Sequence, residues 1–96
     1  LRNHLRKYDQ AGRYGGEEFF VVLPNTNLHQ AYIIAERFRH DLAERAVVLD
    51  ETEVRITASF GIAEYRHGET RESWIARSDR NMYVAKQSGR NRVVAE

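Results

Sequence analysis

The chain has 96 residues and a net charge of +1, from 15 basic and 14 acidic side chains, and it contains no cysteine. That length holds one small domain or part of one. The balanced charge argues against a protein that binds nucleic acid or membranes through its overall charge, and the lack of cysteine excludes disulfides, thiolate metal sites and a cysteine nucleophile. Any anionic ligand must therefore be held by a local cluster of basic residues.

The first nine residues carry a helical pattern. Leu1, Leu5 and Tyr8 recur at the spacing of one helix face, which predicts the last turns of an amphipathic helix over residues 1–9. The chain begins in the middle of this pattern and without Met. We therefore expect it to be an excerpt of a longer protein.

A β-hairpin is predicted next. Short apolar or aromatic runs occupy residues 12–14 and 19–23, and Pro24 ends the second run. Between the runs lies a loop of two glycines and two glutamates, Gly15-Gly16-Glu17-Glu18. Glycine supplies the positive φ that tight hairpin turns need, so the two runs are expected to pair.

The next segment predicts a capped helix and a strand. Asn27 is a suitable N-cap and Gln30, three residues on, completes a capping box, so a helix is expected from there to about Ala46. Apolar residues then alternate strictly over residues 54–62, which predicts a single half-buried strand.

A second helix and a closing strand complete the prediction. The helix is expected from about Arg71 to Ser88, with Gly89 at the position where a helix-ending glycine belongs, and a short strand is expected over residues 92–95. The fold class that follows is α+β: an antiparallel sheet with helices on one side, related to the ferredoxin-like fold.

The glycine–glutamate loop can be interpreted in two ways. Glycines let a phosphate approach the backbone, and the adjacent carboxylates of Glu17 and Glu18 could ligate Mg²⁺, which takes oxygen ligands and shares them with substrate phosphates. The alternative is a solvated polar turn, because Gly and Glu are common there. Spacing alone favours the polar turn.

Two further pairs carry the same ambiguity. Lys86 and Arg90 are four residues apart at the end of the second helix, so they share a face if the helical turn persists, and both suit phosphate oxygens. Cations at a helix C-terminus also simply offset the helix dipole. Arg6 and Asp9, three apart, could bind a nucleotide or form an exposed ion pair.

Three blocks of sequence together resemble the GGDEF family of diguanylate cyclases. The first is the signature loop in its GGEEF form, and the others resemble the family's central strand and its closing helix and strand. In order they are Arg13-Tyr14-Gly15-Gly16-Glu17-Glu18-Phe19, Ala58-Ser59-Phe60-Gly61-Ile62-Ala63, and residues 78–86 followed by Gly89-Arg90-Asn91-Arg92-Val93. The resemblance covers essentially the whole chain.

The resemblance implies an enzyme that condenses two GTP molecules into cyclic di-GMP and pyrophosphate, with two domains facing each other as a homodimer. It implies that Glu17 ligates a catalytic Mg²⁺ or Mn²⁺. Glu18 would complete the acidic loop as a second ligand or as the group that activates the hydroxyl. By the same resemblance Gly15 and Gly16 line the GTP, and Lys86 and Arg90 hold its β- and γ-phosphates. The intact loop favours an active parent enzyme.

The resemblance also implies regulation by product. Arg6 and Asp9 match the family's RxxD inhibitory site, and Arg37 is expected to be the arginine that a neighbouring domain contributes to it. The implied partners are GTP, cyclic di-GMP and a second GGDEF domain, with no nucleic-acid polymer.

The expected domain is the C-terminal portion of a single GGDEF domain over residues 1–96. The family's first strand and helices would lie upstream of Leu1, and they supply another metal-ligating Asp and the guanine-binding residues. The fragment alone is therefore expected to be inactive. A cytoplasmic location is expected, with any membrane attachment through unseen segments of the parent protein.

Two other functions are weighed against the cyclase. One is a receptor that binds cyclic di-GMP through Arg6 and Asp9 without synthesis, although a pure receptor has no need of the loop carboxylates. The other is a relative of the polymerase-type nucleotidyl-transfer palm domains, which the Lys86 and Arg90 block disfavours because it lies so close to the GGDEF pattern.

Overall fold

The structure is a computed structural model that describes the backbone of residues 10–13 and 19–96, with side chains from Phe20 onward. The helix predicted over residues 1–9 and the loop at residues 14–18 lie outside the described residues. In chain order the elements are β1 (Gln10–Arg13), β2 (Phe19–Val22), α1 (Leu28–Glu44), β3 (Ala46–Leu49), β4 (Thr52–Arg55), β5 (Phe60–Ile62), α2 (Arg71–Gln87) and β6 (Val93–Ala95).

Strands β1 and β2 form the predicted hairpin. They pair in antiparallel register, with Gln10 opposite Val22 and Arg13 opposite Phe19. The chain turns at Pro24 directly after β2, as the proline predicts, because proline cannot donate to a continuing strand ladder.

Helix α1 begins as the capping box predicts. The Asn27 side chain accepts from the Gln30 backbone N–H at 2.8 Å, and the Gln30 side chain accepts from the Asn27 N–H at 2.9 Å. These two bonds satisfy donors that the first turn leaves without partners. The predicted end at about Ala46 is wrong by two residues, because Arg45 takes an extended conformation and Ala46 already opens β3.

The single strand predicted over residues 54–62 is wrong. That stretch is divided between β4, which pairs with β3, and β5, which pairs with β6. The β3–β4 hairpin turns through Asp50 and Glu51, which both have positive φ, 49° and 66°. Two central residues with positive φ form a type I′-like turn, whose twist matches that of paired strands. The alternating residues therefore belong to two separate strand pairs, β3–β4 and β5–β6.

Helices α1 and α2 pack on opposite faces of β5. The Phe60 ring meets the Phe38 ring of α1 edge to face, with ring centroids 5.7 Å apart. A Cβ added at the next residue, Gly61, would lie 2.1 Å from backbone atoms of Ser78 and Met82 in α2. Because consecutive residues of a strand face opposite sides, the expectation of helices on one side is wrong.

The β5–β6 pair is parallel, with Phe60 opposite Val93 and Ile62 opposite Ala95. Helix α2 is the crossover between the two strands, as parallel pairing requires. The α+β, nucleotide-cyclase-like fold class is confirmed, and this parallel pair is an addition to it that the sequence pattern did not predict.

Hydrogen bonds from α2 side chains fix the helix on β5 and the residue after it. Trp74 Nε1 donates to the Ala63 carbonyl at 2.7 Å, and Ser78 Oγ donates to the Gly61 carbonyl at 2.9 Å. Ala85, two turns further on, is fully buried. The face of α2 that carries Trp74, Ser78 and Ala85 is therefore the face that packs on the sheet.

Arg77, a buried arginine of α2, joins the connection that precedes the helix to the residue that follows β6. Arg77 forms ion pairs with Glu69 and Glu96, and its Nη2 also donates to the Glu64 carbonyl at 2.6 Å. Its hydrogen bonds hold the pKa of the Glu69 carboxyl down at about 2. In the part of the chain that the structure describes, no helix is both long and apolar enough to cross a membrane.

Candidate functional site: the basic turn after α2

The chain reverses direction in a tight turn directly after α2, over residues 88–92. Ser88 caps the helix, and Gly89 has φ +125°, a conformation that favours glycine because it has no Cβ. The Arg90 N–H then donates to the Ala85 carbonyl at 2.9 Å, which is the six-to-one bond of a Schellman motif. The predicted helix end at Ser88 and Gly89 is confirmed.

This turn places Arg90 beside the last turn of α2, which carries Lys86. Lys86 is half-buried and Arg90 is exposed. The helical turn does not persist to Arg90, because its φ of 60° is left-handed. The expectation that both side chains share one continuous helix face is therefore wrong, and a Schellman turn instead keeps the two residues at the same end of α2.

Basic side chains gather at the C-terminal end of α2, where the partial negative charge of the helix dipole stabilises them. Arg92 folds back over the turn, and its Nε donates to the Arg90 carbonyl at 3.1 Å. The helix dipole is negative at this end, so it stabilises Lys86 and the arginines that follow. These basic groups form a local positive cluster, which is the kind of feature that an anionic ligand needs in a chain of balanced net charge.

A third arginine, Arg39 from α1, reaches the same turn. Arg39 Nη1 donates to Asn91 Oδ1 at 2.9 Å, and the Asn91 N–H donates to Ser59 Oγ at 3.1 Å. Arg39 is in turn held by Glu36, because its Nε donates to both carboxylate oxygens at 3.0 Å. This bonding lowers the pKa of the Glu36 carboxyl and raises the pKa of Arg39.

The link between Arg39 and Asn91 was missed by sequence reasoning. The two residues are 52 positions apart, so no local spacing connects them. Asn91 was visible inside the Gly89–Val93 block, but its partner could be found only from the packing of α1 against β6.

The remaining predicted site residues are placed as follows. Arg37 lies on the exposed surface of α1. Six predicted site residues lie outside the described residues. They are Arg6, Asp9 and the loop residues Gly15, Gly16, Glu17 and Glu18. Within the side chains described from Phe20 onward, no three His, Cys, Asp or Glu residues form a group that could hold a metal ion. The Mg²⁺ ligands expected within this chain, Glu17 and Glu18, belong to the undescribed loop.

An α+β domain of nucleotide-cyclase type, with a basic turn at the end of its last helix, is the class that this fold and site define. A family model described as "Diguanylate cyclase, GGDEF domain" matches residues 1–92. Because the match covers nearly all of the sequence, the chain belongs to the GGDEF family.

Curated relatives agree with this assignment. Diguanylate cyclase A of Treponema denticola is 39% identical over 94 residues, which cover 97% of this chain and 25% of the relative. The response regulator PleD of Caulobacter vibrioides is 39% identical over 99 residues, which cover all of this chain and 22% of the relative. The chain thus spans about a quarter of the length of these relatives.

Solved structures show the same fold. The diguanylate cyclase SiaD of Pseudomonas aeruginosa, solved with its activator SiaC, superposes with a TM-score of 0.91 at 40% identity, over 99% of this chain and 36% of that one. The GGDEF domain of DgcB from Caulobacter crescentus, solved with c-di-GMP, gives 0.92 at 32% identity, over 98% and 57%. The active GGEEF domain of a Vibrio cholerae diguanylate cyclase gives 0.83 at 32%, over 98% and 60%.

Proposed function

We propose that the chain is the C-terminal portion of one GGDEF domain in a diguanylate cyclase, which converts two GTP molecules into cyclic di-GMP and two pyrophosphates. The observation that carries the proposal is the basic turn after α2. It supplies two exposed or half-exposed cations, Lys86 and Arg90, at one end of a helix in a family defined by cyclase activity. Relatives of this chain are named as diguanylate cyclases.

In the proposed reaction the 3′-hydroxyl oxygen of one GTP attacks the α-phosphorus of the other. A new P–O bond forms, the bond from the α-phosphorus to the oxygen bridging to the β-phosphate breaks, and pyrophosphate leaves while the hydroxyl loses its proton. A second, symmetric attack closes the ring. Because phosphoryl-type transfer depends mainly on positioning and electrostatics, the protein's work is to align two triphosphates and neutralise their charge.

Lys86 and Arg90 would hold the β- and γ-phosphates, the groups that leave. Lys offers a compact point charge and Arg a planar fork, and together they stabilise the negative charge that builds on departing pyrophosphate. Their position at a helix end keeps the binding groups on a rigid element, whereas Gly15 and Gly16 would let the same phosphates approach the hairpin backbone.

Glu17 would ligate Mg²⁺ or Mn²⁺, and Glu18 would serve as a second ligand or as the base for the attacking hydroxyl. A bound divalent cation neutralises phosphate charge and polarises the phosphoryl group. Adjacent carboxylates suit such hard ions, which prefer oxygen ligands. The undescribed loop would thus supply the negative half of a site whose positive half is the basic turn.

The proposed enzyme works as a dimer of facing GGDEF domains and is inhibited by its product. Arg6 and Asp9 would bind cyclic di-GMP, and Arg37 would be contributed by the neighbouring domain. The exposure of Arg37 on α1 supports a contact with another chain. A related GGDEF domain has been solved in complex with c-di-GMP, which supports binding of this dinucleotide by the proposed site.

The test is the substitution Glu17→Gln in the full-length protein. It should lower cyclic di-GMP synthesis from GTP and Mg²⁺ by about a hundredfold or more, because a neutral amide cannot replace the charged ligand. Binding of cyclic di-GMP, measured by calorimetry, should stay unchanged because Arg6 and Asp9 are intact.

The matched control is Glu53→Gln, an exposed glutamate on β4, which should leave synthesis as it is. Synthesis that survives in the Glu17→Gln protein contradicts the proposed metal ligand. A wild-type protein that binds cyclic di-GMP through Arg6 and Asp9 but makes none favours the receptor function instead.

A further inference from the structure

The turn that carries Arg90 is built from backbone conformations that need external support. Arg90 and Asn91 have φ of 60° and 46°, in the left-handed region that L residues rarely adopt. Two such residues in succession persist only where surrounding contacts hold them. The conformation matters because the direction of the Arg90 side chain follows from its own φ.

Hydrogen bonds from three other parts of the chain hold Arg90 and Asn91 in this turn. The Arg90 N–H is bound to α2 through Ala85, and the Asn91 N–H is bound to Ser59, immediately before β5. The third bond is the one from Arg39 of α1 to Asn91 Oδ1. Of the three, this bond is the one made to the side chain of a turn residue rather than to its backbone. It is also charge-assisted, which makes it stronger than a hydrogen bond between neutral groups.

Arg39 is itself fixed before it reaches the turn. Its side chain is only 18% exposed, and Glu36, one helical turn earlier, takes three of its contacts. One guanidinium thus bridges a carboxylate on its own helix and an amide on a distant turn. A fork with several donors can do both at once, whereas an ammonium is a single point of charge.

We propose that Arg39 is a positioning residue for phosphate binding: through Asn91 it holds the left-handed turn that aims Arg90 at the terminal phosphates of GTP. The inference rests on the proposed function, in which Arg90 binds those phosphates. Arg39 touches no substrate in this proposal, so its loss should act on the triphosphate end of GTP and leave the recognition of base and ribose as it was.

The experiment measures steady-state kinetics of the full-length protein with GTP, and inhibition constants of pyrophosphate and of GMP. Arg39→Ala should raise the KM for GTP and the inhibition constant of pyrophosphate by about tenfold each, since a hydrogen bond to a charged group is of that size. The inhibition constant of GMP, which lacks the β- and γ-phosphates, should not change.

Asn91→Gly removes the acceptor of the same hydrogen bond. Glycine tolerates the positive φ and removes only the amide that Arg39 binds, so this variant keeps the turn's backbone accessible and leaves α1 untouched. It should match Arg39→Ala, and the double variant should be no worse than either single one, because both remove one interaction. If Arg39→Ala does not fold, Asn91→Gly decides the question.

Two reference variants separate the possible failures. Arg71→Ala, an 80% exposed arginine at the opposite end of α2, should leave every constant unchanged. Arg90→Ala should raise the KM for GTP at least as much as Arg39→Ala; no effect there would overturn the proposed function itself.

The positioning role is overturned if Arg90→Ala raises the KM for GTP while Arg39→Ala and Asn91→Gly leave it unchanged. It is also overturned if Arg39→Ala raises the inhibition constant of GMP as much as that of pyrophosphate, because equal losses indicate a general loss of structure. Arg39→Lys keeps the charge but not the fork, so it should recover only part of the pyrophosphate affinity.

Discussion

Gly61 sets how closely α2 can approach the sheet. A Cβ at this position would lie 2.1 Å from the Ser78 carbonyl oxygen and from the Met82 backbone nitrogen, and both belong to the helix backbone, which cannot rotate away as a side chain can. The Ser78 side chain also donates to the Gly61 carbonyl, so packing and hydrogen bonding coincide at one residue. The absence of a side chain here is what lets the backbone of α2 lie directly against β5.

Gly61→Ala should therefore destabilise the fold by about 3 kcal/mol, because an added methyl group must push the helix off the strand. The comparison is Gly68→Ala, where nothing lies within 4 Å and the only cost is the positive φ of 82°. That cost should be about 1 kcal/mol. Urea unfolding of the two variants measures both values, and equal losses would show that α2 yields without penalty.

At the scale of elements, the start of α2 is organised around one carboxylate. Glu69 accepts from Arg77 Nε at 2.7 Å, from Ser73 Oγ at 3.1 Å and from the Arg66 N–H at 3.2 Å. Arg77 carries the same cluster on to Glu96, beyond the last strand. The connection before α2, the helix itself and the residue after β6 are thus joined through one ion-paired group.

This cluster predicts a pH dependence of stability. The pKa of Glu69 is about 2 in the folded chain, against an ordinary 4.5, chiefly because Arg77 hydrogen-bonds to it. A lowered folded pKa means that the stabilisation is complete above pH 4.5 and is lost as the pH falls from there towards 2. Glu69→Gln should therefore lower the melting temperature at pH 7, and the difference from wild type should shrink below pH 4.5.

Glu72→Gln is the matched control for that experiment. Glu72 lies three residues further on, is 79% exposed and approaches Arg71 only at 3.9 Å. Exposed pairs of this kind contribute little, so its melting curve should follow wild type at every pH. A Glu69→Gln protein whose deficit stays constant down to pH 2 would contradict the assigned carboxylate role.

At the scale of the molecule, the chain spans only part of the length of its structural relatives. It covers 57% of the DgcB GGDEF structure and 60% of the Vibrio cholerae GGEEF structure.

We accordingly expect purified residues 1–96 to make no cyclic di-GMP from GTP and Mg²⁺. The physical reason is that an incomplete set of metal and base contacts leaves the two triphosphates unaligned, and alignment is most of the catalysis. Nucleotide chromatography after prolonged incubation is the measurement, with the full-length protein as the positive control. Product from the fragment would show that these 96 residues hold a complete site.

Local signals predicted the parts of this molecule that local interactions form. The Asn27 capping box and the Gly89 helix end each depend on neighbours within a few residues, and both are confirmed. The β3–β4 hairpin was missed because its turn residues, Asp50 and Glu51, lack the glycine that usually marks two positive φ values. The Arg39–Asn91 bond was missed because only the tertiary packing brings the two residues together.

The parallel pairing of β5 with β6 also sets an order of assembly. Phe60 meets Val93 across 33 intervening steps of chain, and α2 must form between them. Contacts so distant in sequence form late, after the loop between them has been closed at an entropic cost. During synthesis α1 can complete its turns early, but Arg39 has no Asn91 to bind until residue 91 has also been made. The turn that carries Arg90 is therefore completed after both helices that hold it, α1 and α2, have formed.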